Sequence, residues 1–99
     1  MYMRFTWDNA KAKSNLLKHR VSFESATHAF TDPFAFTVQD RIENGELRWQ
    51  TLGLVEGHLL LLVAHTVFDD EAGFEVIHLI SARRADAKER RRYEQNHAL

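Results

Sequence analysis

"HLLLLVAHTVFDDEAGFEVIHLIS", residues 58–81, decides the fold. Its two arms, HLLLLVAHT (58–66) and FEVIHLIS (74–81), are apolar at consecutive positions, so neither side of either arm suits water. Strands of that kind sit in the middle of a sheet, with helices over its faces. The connector DDEAG at 69–73 is a turn signal. It is far shorter than the roughly twelve residues a parallel crossover needs, so the two arms are antiparallel neighbours.

Upstream the period is two. LRWQTLGL (47–54) sets Arg48 and Gln50 opposite Leu47 and Trp49, and FAFTV (34–38) alternates Phe34, Phe36 and Val38. ENGE (43–46) and EG (56–57) mark the turns between these strands. Asp32-Pro33 ends a helical stretch that precedes it, since proline lacks a donor and restricts the residue before it. Phe23, Ala26 and Phe30 recur on one face behind a Ser22 N-cap, and Asp8 caps an earlier helix over NAKAKSNLLKH (9–19). In that first helix Leu16 and Leu17 are expected inside, with Lys11, Lys13 and Lys18 in water. MYMRFTW, with Phe5 and Trp7 alternating, reads as a short opening strand.

Downstream, Asp86 and Glu89 form a D-x-x-E capping pattern that starts a last helix, whose apolar surface is limited to Ala85, Ala87, Tyr93 and Leu99. The order β-α-α-β-β-β-β-α predicts an α+β domain spanning residues 1–99. It has a small antiparallel four-stranded sheet plus the short N-terminal strand, two N-terminal helices and one C-terminal helix.

Composition narrows the function. At 44% hydrophobic and 11% aromatic, the 99 residues argue against disorder. The longest apolar run, LLLLVA (59–64), is strand length, well below the roughly 20 residues of a membrane span. No secretory pattern opens the chain, so a cytoplasmic protein without a membrane role is expected. Cysteine is absent, which removes disulfides, thiolate nucleophiles and cysteine-held zinc. P-loop, G-x-G-x-x-G, G-x-S-x-G and H-E-x-x-H motifs are missing too. His58, His65 and His78 read as polar strand residues and not as metal ligands, so neither metal nor cofactor is expected.

Charge is concentrated at one end. The chain carries a net −1, yet residues 81–99 hold six Lys/Arg against three Asp/Glu, while residues 41–80 hold two against seven. A sequence-blind nucleic-acid binder is normally basic throughout; this chain permits only a local cationic site. The run ISARRADAKERRRYE (80–94) would ordinarily be a solvated helix face. Here Arg83 and Arg84 follow directly on an apolar strand that would aim them. Guanidinium forks match phosphate oxygens, and neighbouring positive charge is expected to lower the Tyr93 pKa from its usual value of about 10. Arg48 either covers the sheet edge or points to the face where Arg83 emerges. Lys18 and His19 favour the dipole at the end of their helix.

Three blocks, FTWDNAKAKSNLLKHRVSFESA, RWQTLG and ISARRADAKERRRYE, together resemble the BrnT toxins of type II toxin–antitoxin systems, over nearly the whole chain. The resemblance implies a RelE-like ribonuclease fold, RNA cleavage that halts translation, and a BrnA-type antitoxin whose ribbon-helix-helix module binds promoter DNA. DNA would then be met only through that complex. By position it points to Arg48, Ser81, Arg83, Glu89, Arg90 and Tyr93, with Lys18 and His19 from the first block. One departure is Arg20, where the family commonly has glycine; glycine suits a left-handed helix end, so this turn is expected to differ.

The implied chemistry needs no metal: the RNA 2′-hydroxyl attacks its own phosphodiester. Arg83 and Arg48 are expected to stabilise the added negative charge. Tyr93 or His19 would move the proton, and Arg84, Arg90 and Arg91 would hold flanking phosphates. The acidic middle would discourage indiscriminate RNA binding. The competing reading is a non-catalytic module whose basic C-terminal helix docks an acidic protein. A direct DNA binder is disfavoured, because neither helix pair reads as helix-turn-helix.

Overall fold

The computed structural model describes residues 3–96. Its elements are β1 (Met3–Thr6), α1 (Asn9–His19), α2 (Phe23–Thr27), a 3₁₀ turn (His28–Thr31), β2 (Phe36–Glu43), β3 (Glu46–Val55), β4 (Leu59–Asp69), β5 (Glu75–Arg84) and α3 (Ala87–Asn96). Met1, Tyr2 and Leu99, which the expected first strand and last helix include, lie outside the described residues.

The two apolar arms are the antiparallel pair β4 and β5, central in a sheet ordered β1-β5-β4-β3-β2. β1 joins it in parallel, with Phe5 opposite Ile77, so the sheet is five-stranded and mixed. β5 continues through Arg84, which places Arg83 and Arg84 in the strand itself. β2 begins at Phe36; Phe34 stays half-exposed in the preceding turn, its N–H donating to Asp32 Oδ1. Among the described residues no helix is long and apolar enough to cross a membrane.

Apolar residues on consecutive positions are explained by two cores. Leu61, Val63, Ile77, Leu79 and Ala82 pack with Phe23, Ala26 and Ala29 on one face, beneath α1 and α2. Leu52, Leu60 and Leu62 pack with Tyr93 of α3 on the other. Leu79 and Ala82 share a face although they are three positions apart, because the β4–β5 register shifts between Ala64 and His65 and leaves Ile80 as the extra residue of a bulge. Gly53 admits the 3₁₀ turn onto β3: a Cβ there would lie 2.2 Å from the Ala29 carbonyl oxygen.

α1 is rotated from the face expected of it. Leu16 and Leu17 are exposed, the latter at 81%, and Asn15 is buried between Ala12 and His19 along the inward face. The reason lies in the backbone of β5. β1 stops opposite His78, which leaves the next stretch of β5 as an open edge. An unpaired buried peptide group is costly. Asn15 acts as a one-residue strand there: its Nδ2 donates to the Ala82 and Val21 carbonyls, both at 2.9 Å, and its Oδ1 accepts from Ala82 N–H at 3.1 Å. Arg20 ends α1 in the left-handed conformation (φ 61°, ψ 27°), its N–H bonded to Leu16 O. The turn expected to differ for want of glycine thus keeps the glycine-type geometry.

Candidate active site

α3 starts as its sequence dictates. Asp86 Oδ1 accepts from Glu89 N–H at 2.8 Å, and Glu89 Oε1 accepts from Asp86 N–H at 2.9 Å, which is a reciprocal capping box. That box aims the rest of the Glu89 carboxylate at β5. Arg83 Nη1 and Nη2 donate to Glu89 Oε1 and Oε2, both at 2.9 Å. The Arg83 hydrogen bonds hold the Glu89 carboxyl below its usual range, against a smaller effect of burial, and the Arg83 pKa is raised by the same pair. Side-chain exposure is 40% for Arg83 and 14% for Glu89, so the carboxylate is fixed and one side of the guanidinium faces water.

Tyr93 does the opposite of what the arginine run suggests. It is buried in the α3 core, and its hydroxyl donates to Asp32 Oδ2. Burial first, then this hydrogen bond and the Asp32 charge, push the phenol well above its ordinary value, which corrects the expectation of a lowered one. The arginines around Tyr93 in sequence lie on exposed positions of the helix, and the group its oxygen meets is an anion. Asp32 Oδ2 also accepts from Leu54 N–H at 2.8 Å, so one carboxylate ties α3 to the edge of β3.

A second grouping forms where α1 crosses the free edge of β5. Lys18 and His19, in the last turn of α1, line a cavity of about 180 Å³ with Lys11, Ser14, Asn15, Ile80 and Ser81. The adjacent pair Lys18 and His19 is thus brought together with Ser81, which is distant in sequence. Ser81 pairs with Ala64 and Arg83 with Leu62, so these two are alternate residues leaving the same side of one strand.

Arg48 shares the α3 side of the sheet with Leu52 by alternation along β3. It lies four residues from Leu52, about 13 Å along the strand, and its fork is held by Glu43 at 3.1 Å. Arg48 and Arg83 therefore share a face and each has its own carboxylate. Its Nε is buried without a hydrogen-bond partner among the described residues. Arg84, Arg90 and Arg91 are exposed. Of five cavities among the described residues, none is lined by Arg48, Arg83 and Tyr93 together.

The histidines weighed as ligands are dispersed. His58 sits in the β3–β4 turn against Glu56 O, His78 bonds Thr6 Oγ1 at 2.8 Å, and His65 is buried beneath the helices. Among the described residues no three His, Asp or Glu side chains form a metal-sized group. Sequence reasoning missed Asn15, Asp32 and Glu43. Asp32 carried a signal, since an Asp before Pro at a helix end commonly accepts from nearby N–H groups; Asn15 and Glu43 carried none.

A family profile described as "Ribonuclease toxin, BrnT, of type II toxin-antitoxin system" matches residues 7–89. That span holds Lys18, His19, Arg48, Ser81, Arg83 and Glu89, and ends before Arg90, Arg91 and Tyr93. Among solved structures, the crystal structure of the Brucella abortus ribonuclease toxin, BrnT, has a similar fold, with a TM-score of 0.64 at 20% identity. The match covers 87% of this chain and 99% of that one. No curated protein matches this chain in sequence.

Proposed function

Since this chain belongs to the BrnT family of ribonuclease toxins of type II toxin–antitoxin systems, we propose that it cuts RNA by metal-independent transesterification at the crossing of α1 and β5, in the manner of RelE-like enzymes. The observation that carries this reading is the shared cavity of Lys18, His19 and Ser81, continued along β5 to the half-exposed fork of Arg83. In the reaction the 2′-oxygen attacks phosphorus, its proton passes to a base, and the bond to the 5′-oxygen breaks as that oxygen takes up a proton. The products end in a 2′,3′-cyclic phosphate and a 5′-hydroxyl.

His19 is the proton carrier in this scheme, because an imidazole ring can both accept and donate a proton and His19 lines the cavity beside Lys18 and Ser81. Lys18 and Arg83 stabilise charge on the phosphorane, and Ser81 hydrogen-bonds a phosphate oxygen. Glu89 fixes the direction of Arg83. Tyr93 positions α3 and transfers no proton. Arg84, Arg90 and Arg91 contact flanking phosphates, and Arg48 contacts the strand further along the same face.

Cleavage of message by this site would inhibit translation in the cytoplasm. Neutralisation is assigned to a BrnA-type ribbon-helix-helix antitoxin, and promoter DNA is met only through that complex. The test is incubation of purified protein with a defined RNA in EDTA. Fragments ending in a cyclic phosphate support the scheme; intact RNA, or fragments bearing a 5′-phosphate, overturn it.

A further inference from the structure

The largest side-chain hydrogen-bond chain outside the candidate site lies under the opposite face of the sheet. Thr37 Oγ1 is 2.7 Å from Thr51 Oγ1, which is 2.8 Å from His65 Nε2, and His65 Nδ1 is 3.3 Å from Thr66 O. A carbonyl only accepts, so the His65 proton sits on Nδ1 and Nε2 is left to accept. Burial favours the neutral ring that this requires. The single Thr51 proton therefore points to His65, and the Thr37 proton points to Thr51. The chain has a fixed direction, and its exposed end, Thr37, presents lone pairs to the outside.

Thr37, Thr51 and His65 line a cavity of about 400 Å³. Phe30 and Trp49 also line it, and Phe30 meets the His65 ring edge-on with centroids 5.0 Å apart. Its charged lining residues, Asp32 and Glu75, are both acidic. Glu75 makes no ion pair within salt-bridge distance among the described residues. The lining therefore combines aromatic rings, the Glu75 carboxylate and an outward acceptor, a set that suits a cation on an apolar stem. Asp32 adds negative charge while its oxygens accept from Phe34, Leu54 and Tyr93. Exposed Met3 and Val67 carry apolar surface out to the rim, beyond what a small ion would cover. Polyanions are disfavoured by the same carboxylates.

We infer that this cavity is a docking site for an arginine or lysine side chain presented by a protein partner, on the face of the sheet away from Arg83. The inference does not depend on the nuclease reading, because none of the proposed cleavage residues lines this cavity.

The test is NMR titration of the whole chain with an acetylated, amidated Leu-Arg-Leu tripeptide and with its citrulline counterpart, which keeps the shape and loses the charge. Saturable shifts of the Trp49 indole and Thr37 amide with the arginine peptide are expected. The citrulline peptide should bind more weakly, and Thr37→Val should weaken the arginine peptide about two- to tenfold, the worth of one hydrogen bond. Glu75→Gln should act in the same direction. Equal binding of both peptides, shifts confined to Glu43 and Glu89, no shifts at millimolar peptide, or the same shifts from a short RNA would each overturn the inference. So would shifts that follow protein concentration alone, since the occupant would then be this chain's own arginines.

Discussion

Arg83 and Glu89 meet through two parallel hydrogen bonds, and the carboxylate that receives them also caps the helix on which it stands. Glu89 is thus shared between folding and aim. Glu89→Ala should cost about 1–2 kcal/mol, mostly the lost cap, because a half-exposed ion pair adds only a fraction of that. The pH dependence follows from the depressed carboxyl. Its contribution is complete above the unfolded value near 4.5 and is lost as pH falls through the lower folded value. Urea melts of wild type and Glu89→Gln should therefore converge in acid; a constant gap from pH 7 downward would refute the pairing.

Tyr93→Phe separates a structural phenol from a catalytic one. Removing the donor to Asp32 should lower stability by about 1–2 kcal/mol. RNA cleavage at a temperature where the variant is folded should stay within a few-fold of wild type. A loss of a hundredfold or more would return the proton to Tyr93.

His65 predicts a stability slope of its own. Burial holds the imidazole below its ordinary 6.5, so the unfolded chain takes up a proton at a pH where the folded chain does not. Stability should fall as pH drops below that value, by at most about 1.4 kcal/mol per unit, until the folded ring also titrates. His65→Gln should lose this contribution to the slope between pH 7 and 5.5, measured by denaturant unfolding.

Two backbone positions give effects of opposite sign. Arg20→Gly should stabilise the chain by about 1 kcal/mol, since the left-handed conformation already adopted there suits glycine. Gly53→Ala should destabilise it by about 1–3 kcal/mol or more, because the new methyl meets the Ala29 backbone. Thermal melts of both variants check the signs.

Much of the sheet was legible because its turns are written in local chemistry: ENGE, EG and DDEAG fall where β2, β3, β4 and β5 are joined. The caps at Asp8, Ser22 and Asp86 were legible for the same reason. α1 was misread because apolar residues are expected inside, whereas here a backbone edge had a prior demand that only an amide side chain meets at both donor and acceptor. The Arg48 pairing with Glu43 depends on β2–β3 register, and the Tyr93 pairing with Asp32 joins residues 61 positions apart. Neither leaves a periodic trace. Local charge counts gave the wrong sign for the phenol, because they miss the burial of Tyr93 and the Asp32 carboxylate it meets.

The most direct measurement is the rate at which His19→Ala cleaves a defined RNA in EDTA, beside wild type, with both proteins shown folded by circular dichroism. The account predicts a loss of about a hundredfold or more, as expected when a positioned proton carrier is removed. Cleavage by the variant at the wild-type rate would contradict it.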